Sequence, residues 1–169
     1  MAIRRSVILL SFTLVGCTTN DTFVTVPNEQ PTVTEQRYLA WNIKLDGWAQ
    51  TASGLEYRRI GDANPSGATP LANSIVTADC EGHFVDGRLF FATDPGKPLV
   101  GPLTKLIKGW QEGLLLMHTG ETWEFAVPAA LAYGAKGWTS KSPNIPSIPP
   151  NTALLFKIKL IAVAQPSPQ

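Results

Sequence analysis

The residues best suited to nucleophilic chemistry are Cys80 and His83, which lie three positions apart. A thiol beside an imidazole would form a reactive pair. The neighbouring residues, however, predict a strand, in which positions i and i+3 point to opposite faces. We therefore expect a buried Cys80 thiol beside a surface imidazole, and a nucleophilic pair is the alternative.

The acidic residues and histidines form no pattern typical of acid–base or metal chemistry. Asp79 and Glu81 share one face of the predicted strand, where a solvated edge is the expected role. His83 and His118 lie in separate segments, and two His and two Cys are too few for a structural zinc site. The chain also lacks a P-loop, a G-x-S-x-G elbow and a G-x-G-x-x-G motif. We predict neither a metal nor a cofactor.

The most informative pattern combines apolar residues with glycine and proline in four ordered segments. They are FVDGRLF (Phe84–Phe90), LIKGWQEG (Leu106–Gly113), LAYG (Leu131–Gly134) and IPPNTALLF (Ile148–Phe156). In this order and approximate spacing they resemble the FKBP family of peptidyl-prolyl isomerases, over about residues 53–163. Each segment alone is a weak signal, since core packing or a plain turn would explain it. Four segments in order are specific.

The resemblance implies an α+β fold, in which a half-open antiparallel sheet wraps around one short helix that starts near Ile107. An apolar pocket lies between them. Carried over to this sequence, Trp110 forms the pocket floor, and the hydroxyl of Tyr133 and the backbone N–H of Ile107 would donate hydrogen bonds to substrate carbonyls. Five residues are expected to form the walls: Phe90, Leu106, Ile107, Ile148 and Phe156. For each site residue, core packing is the alternative role.

Three positions in the substrate-binding region depart from the family pattern. Cys80 stands where the family commonly has a tyrosine on the second strand, and Phe91 stands where it commonly has an aspartate. Leu99 replaces a pocket aromatic residue. These changes predict a less polar pocket that is either wider or refilled.

The loop that follows Tyr133 also departs from the family pattern. It reaches Ile148 after about six more residues than is common, and the extra stretch contains Trp138, Pro143 and Pro146. Because this loop overhangs the pocket in the resembling fold, we expect it either to add substrate contacts or to block entry.

The implied activity is faster rotation about X–Pro bonds in exported proteins, and the implied partners are proline-containing polypeptides and macrolide pocket ligands. The changes at Cys80 and Phe91 leave room for a reduced activity. They also keep open a non-catalytic chaperone or protein-binding module with the same fold. The balance of 14 Lys+Arg against 13 Asp+Glu provides no basic field, which argues against nucleic acid as a partner.

The N-terminus resembles the signal peptide of a bacterial lipoprotein. The apolar run Ser6–Val15 follows two arginines and is too short to cross a bilayer core, which needs about 20 helical residues. The run leads into Leu14-Val15-Gly16-Cys17, which resembles a lipobox and implies cleavage after residue 16, a lipid on Cys17 and thus a membrane anchor. Thr18 then suggests the outer membrane. An ordinary signal peptide, and a soluble periplasmic or secreted protein, are the alternatives.

The full chain of 169 residues is enough for one domain with a core and an appendage. Tyr38, Trp41, Leu45 and Trp48 recur at helical spacing, which predicts a short helix that ends near Gly47 and packs on the domain. The predicted segments are a signal peptide at 1–16, a lipidated tether at 17–35, a helical segment at 36–52, the isomerase domain at 53–165 and a tail at 166–169.

Within the domain, alternation predicts strands on both sides of one helix, Ile107 to Met117. Asn73–Glu81 and His83–Thr93 predict two strands separated at Gly82, with a reversal at Asp86-Gly87. Two further strands are centred on Phe125 and Ile158. Strands, one helix and strands again indicate an antiparallel sheet packed on that helix.

Overall fold

A computed structural model describes residues 35–143 and 145–165 of the chain. The predicted signal peptide, Cys17, the tether up to residue 34 and the tail at 166–169 lie outside the described residues. Among the described helices, none has both the length and the apolar character to cross a membrane.

The described residues form one antiparallel sheet with short helices on its two faces. Its strands follow the order β1-β2-β6-β7-β3-β4, and β5 also pairs with β3. The strands are β1 (Ala49–Gln50), β2 (Glu56–Ile60), β3 (Ile75–Phe84), β4 (Leu89–Ala92), β5 (Leu99–Pro102), β6 (Thr122–Val127) and β7 (Leu154–Ala164). The helices are α1 (Glu35–Asn42), α2 (Lys108–Leu114) and 3-10 helices at Leu103–Lys105, Ala129–Leu131 and Gly134–Lys136. This confirms the expected α+β fold.

Helix α2 approaches one face of the sheet closely because it carries glycine where it crosses β6. A Cβ atom at Gly109 would lie 2.5 Å from Cγ1 of Val127, and one at Gly113 would lie 2.5 Å from Cζ of Phe125. Trp110 of the same helix is buried against the sheet. The glycines thus set the separation between helix and sheet that the cavity described below requires.

The opposite face of the sheet is covered by α1. Its Tyr38 is buried against Ala126 of β6 and Leu155 of β7, which confirms that the N-terminal helix packs on the domain. Because both faces of β6 are covered, even Glu124 on this strand is fully buried, and it forms an ion pair with Arg58 of β2. The helix ends at Asn42, before the predicted end at Gly47, because the following residues form turns and then β1.

The predicted interruption at Gly82 is wrong, because β3 continues through it to Phe84. Gly82 is needed for packing: a Cβ atom there would lie 2.7 Å from Cζ of Phe90 and 2.9 Å from Cε1 of Phe156. The chain reverses only at Asp86-Gly87, as predicted, where Gly87 adopts a φ of 86°. A glycine that makes room for two rings carries the same sequence signal as a glycine that ends a strand.

Helix α2 is shorter than predicted and ends at Leu114. After Leu115, the N–H groups of Leu116 and Met117 donate to carbonyls three residues back, those of Gly113 and Leu114, at 3.0 and 3.2 Å. These tighter turns replace the α-helical pattern at the C-terminal end. Met117 is still buried, which explains why its apolar character extended the predicted helix.

Candidate functional site

A cavity of about 420 Å³ lies between α2 and the face of the sheet that α2 covers. Its lining is mostly aromatic and aliphatic, with one ammonium group and one phenol. It is formed by Phe90, Phe91, Leu99, Lys105, Leu106, Ile107, Trp110, Tyr133, Trp138, Ile145, Ile148 and Phe156. A cavity of this size and character accommodates a small apolar ring together with the adjacent peptide groups.

Three aromatic rings form the deepest part of the lining. Trp110 of α2 is only 4% exposed, and the ring of Phe156 meets its indole at 88° with a centroid distance of 5.2 Å. The ring of Phe90 meets Phe156 at 82° and 5.7 Å. Such edge-to-face contacts hold aromatic rings in defined orientations. The floor of the cavity is therefore a mostly aromatic surface, in which the indole N–H of Trp110 is buried and has no hydrogen-bond partner within residues 35–143 and 145–165.

The two hydrogen-bond donors that the family resemblance implied, on Tyr133 and Ile107, belong to residues of the cavity lining. Tyr133 is half-buried, and this burial raises the pKa of its phenol, so the hydroxyl stays protonated at neutral pH. The backbone N–H of Ile107, just before α2, has no hydrogen-bond acceptor among the described residues. Both groups can donate to a carbonyl of a bound peptide.

A hydrogen bond fixes the wall segment that precedes α2. Gln111 Nε2 donates to the carbonyl of Leu106 at 2.7 Å. The carbonyl of Ile107 accepts from the N–H groups of Trp110 and Gln111, each at 3.0 Å. The wall residues Leu106 and Ile107 are therefore held to the first turn of the helix that carries the floor.

The long loop supplies two lining residues that the predicted site did not include, Trp138 and Ile145. Each is 39% exposed, and the Trp138 ring lies 6.2 Å from that of Tyr133. Trp138 and Ile148 exchange two backbone hydrogen bonds of 2.8 Å. Gly137 permits this pairing, because its φ is 63° and a Cβ atom would lie 2.3 Å from the carbonyl oxygen of Ile148. The sequence signal was a tryptophan in an otherwise polar loop.

The cavity brings together nine of the ten predicted substrate-contacting residues. The exception is Cys80, which does not line this cavity. It pairs with Ile158, two residues along β3 from Gly82, and is 6% exposed within the core. Burial, followed by the charge of Asp79, raises the pKa of its thiol to about 12, which makes a nucleophilic role inaccessible at neutral pH. The expected buried thiol is confirmed.

Charged groups are sparse around the cavity. Lys105 is the one formally charged side chain in the lining. Phe91 lies in the wall at the position where the FKBP family commonly has an aspartate. In residues 35–143 and 145–165, no three His, Cys, Asp or Glu side chains come together as a metal site.

Comparisons with known proteins agree with this geometry. The family model of the FKBP-type peptidyl-prolyl cis-trans isomerases matches residues 67–161. The chain is 38% identical over 135 residues to the FKBP-type peptidyl-prolyl cis-trans isomerase FkpA of Aeromonas hydrophila, covering 78% of this chain and 46% of that protein. It is 42% identical over 127 residues to the outer membrane protein MIP of Legionella longbeachae, covering 75% of this chain and 51% of that protein.

A solved structure is also similar. The crystal structure of a peptidyl-prolyl cis-trans isomerase from Pseudomonas syringae aligns with a TM-score of 0.68 and 31% sequence identity, covering 78% of this chain and 91% of the other. The chain spans about half the length of the curated relatives it matches. Since the family model covers more than half of the chain, this protein belongs to the FKBP-type peptidyl-prolyl cis-trans isomerase family.

Proposed function

We propose that this protein is a peptidyl-prolyl cis–trans isomerase that accelerates rotation about X–Pro bonds in exported polypeptides. The observation that carries the proposal is the aromatic cavity floored by Trp110, with the donors of Tyr133 and Ile107 in its lining. Family membership supports the same activity.

The chemistry requires neither a strong acid nor a strong base. An amide resists rotation by about 18–20 kcal/mol, because resonance places double-bond character in C–N and negative charge on oxygen. The rotating transition state loses this resonance and is less charge-separated. An apolar surface of Trp110 and Phe156 that grips the proline ring therefore disfavours the planar ground state relative to the twisted state.

The two donors orient the peptide on this surface. Tyr133 and Ile107 N–H would hold two neighbouring carbonyl groups of the peptide, so that one half of the substrate is fixed and rotation occurs in the half that the cavity does not grip. Holding one half in place converts binding energy into a lower rotational barrier. Uncatalysed exchange takes tens to hundreds of seconds, which is slow enough to limit the folding of a client protein.

Phe91 bears on how active the enzyme is. Its ring stands in the wall and leaves a cavity of about 420 Å³, which favours turnover over a refilled pocket. The absence of a carboxylate at this position removes a polar group that would order a ligand, so we expect catalysis to depend more on apolar contacts than on polar ones.

A non-catalytic chaperone is the second candidate function. Trp138 and Ile145 expose apolar surface at the cavity, and exposed apolar surface binds unfolded chains. Such a chaperone would suppress the aggregation of a proline-free client, and Tyr133→Phe would leave that effect unchanged.

Exchange spectroscopy by NMR on an N-acetylated leucyl-prolyl peptide amide tests the first candidate without a coupled protease. The full chain is expected to accelerate cis–trans exchange above background, and a macrolide that binds the cavity is expected to abolish the acceleration. If the exchange rate stays at the uncatalysed value at protein concentrations that suppress aggregation, this result would contradict the isomerase and favour the chaperone.

We also propose that Cys17 carries a lipid and that the protein faces the periplasm from the outer membrane. The apolar run Ser6–Val15 before Cys17 supports this, and one relative is named an outer membrane protein. Cells that express wild type or Cys17→Ser are labelled with a fatty acid and fractionated. Loss of label and membrane association in Cys17→Ser is expected, whereas a labelled, membrane-bound variant would contradict the lipid assignment.

A further inference from the structure

The acidic residues of this chain are confined to one part of its sequence. All 13 Asp and Glu residues lie at or before Glu124, although the chain contains 14 Lys and Arg overall. The two segments that supply most of the cavity, residues 95–111 and 125–156, contain no acidic residue and five lysines. The near-neutral total therefore conceals an excess of positive charge within the two segments that supply most of the cavity lining.

Lys105 brings this excess to the cavity itself. It ends the 3-10 helix Leu103–Lys105, immediately before the wall residues Leu106 and Ile107, and it is part of the lining. Its side chain is exposed and has no ion-pair or hydrogen-bond partner within residues 35–143 and 145–165. The ammonium group is therefore available to a ligand.

The carboxylates that flank this segment in sequence, Asp94 and Glu112, have partners of their own and are not part of the lining. Asp94, which follows β4, lies 3.5 Å from the ammonium of Lys97. Glu112 of α2 accepts a hydrogen bond from the hydroxyl of Ser53. Neither group lines the cavity, where Phe91 adds a ring and no charge. A carboxylate on a bound peptide would thus meet an uncompensated cation and no lining anion.

We propose that Lys105 is a specificity-determining residue that favours substrates with an acidic residue next to the proline. This inference rests on the proposed isomerase function and names its preferred substrate class. The ion pair forms at an exposed site, so the expected preference is modest, about two- to fivefold. Because exposed charges are screened, the preference decreases as the ionic strength rises.

The test uses N-acetylated peptide amides that differ only in Glu against Gln, placed either directly before or directly after the proline. Exchange spectroscopy gives kcat/KM for each peptide, and chemical-shift titration gives Kd as a readout that does not require turnover. The full chain is compared with Lys105→Gln, Lys105→Glu and the control Lys159→Gln. Lys159 is also an exposed lysine, lies on β7 and does not line the cavity.

For wild type we expect kcat/KM or affinity to be about two to five times higher for the Glu peptide than for the Gln peptide, at one of the two positions at least. Lys105→Gln should bring that ratio to about one, Lys105→Glu should invert it, and Lys159→Gln should retain the wild-type ratio. A wild-type ratio of one at both positions, or a preference that persists in Lys105→Gln, would overturn the proposal.

The two readouts keep this proposal separate from the proposed function. Acceleration of every peptide without a Glu preference contradicts only the role of Lys105. A Glu preference in Kd that depends on Lys105, without any acceleration, supports the role of Lys105 in peptide selection and contradicts the isomerase activity.

Discussion

The ring of Phe156 meets the indole of Trp110 edge-on, at an interplanar angle of 88° and a centroid distance of 5.2 Å. One ring comes from the last strand of the sheet and the other from the helix that crosses it. This contact joins sheet and helix at the floor of the cavity. Any change that moves either ring should therefore alter both stability and substrate binding.

Gly82 is the first such position, because it lies beneath Phe90 and Phe156. We expect Gly82→Ala to lower the free energy of unfolding by about 1–3 kcal/mol, the usual cost of overpacking, and to reduce kcat/KM as the rings shift. Urea denaturation and exchange spectroscopy measure the two effects. Gly101→Ala in β5 is the control, since a Cβ atom there meets nothing within 4 Å. Equal stability of the two variants would show that the rings move aside freely.

Tyr133→Phe removes a hydrogen-bond donor and little apolar surface. We expect kcat/KM to fall about two- to tenfold, the value of one hydrogen bond, while the free energy of unfolding stays the same. Because burial raises the pKa of the phenol above 10.0, wild-type activity should not decline through loss of this proton below pH 10. Tyr57→Phe is the control, since Tyr57 stacks on Trp123 and does not line the cavity. Unchanged kinetics in Tyr133→Phe would rule out the donor role.

Trp138→Ala distinguishes a loop that adds substrate contacts from one that blocks entry. Since Trp138 is partly exposed beside Tyr133, its loss should raise KM about fivefold through lost apolar contact. Steady-state kinetics on the leucyl-prolyl peptide measure this, with the exposed neighbour Thr139→Ala as control. A lower KM in Trp138→Ala would mean that the loop obstructs the cavity.

Glu121 makes stability depend on pH. Burial alone would raise its pKa, but hydrogen bonds from the N–H groups of His118 and Asn64 and from the indole of Trp123 lower it below the ordinary value. Its contribution to the free energy of unfolding is thus fully present above the pKa of the unfolded state, about 4.3, and is lost as the pH falls through the lower pKa of the folded state. Glu121→Gln should be less stable than wild type at pH 7, and chemical denaturation should show that the difference in the free energy of unfolding becomes smaller in acid. A difference that does not depend on pH would contradict this assignment.

Much of the site could be predicted because it depends on side chains in ordered motifs. The resemblance of four ordered segments to the FKBP family predicts Trp110 and Tyr133 as pocket residues, together with their strand partners Phe90 and Phe156. The elements that place them, α2 and β7, have clear apolar periodicity.

What escaped prediction depends on contacts between distant segments. Whether Gly82 interrupts a strand or makes room for Phe90 and Phe156 is decided by residues up to 74 positions away. In the same way, Trp138 reaches the cavity only because it pairs with Ile148. Cys80 faces the core as expected, but its distance from the cavity is set by the register between β3 and β7.

The most direct test of the proposed function is kcat/KM for cis–trans exchange of a leucyl-prolyl peptide by wild type, Trp110→Leu and Trp48→Leu. Trp48 packs on the opposite face of the sheet, next to α1, and serves as the matched tryptophan control. Circular dichroism verifies that each variant is folded. In Trp110→Leu, kcat/KM should fall about tenfold or more, because the floor of the cavity stabilises the twisted state. Trp48→Leu should retain the wild-type kcat/KM. A folded Trp110→Leu variant as active as wild type, or a wild type no faster than background, would contradict catalysis in this cavity.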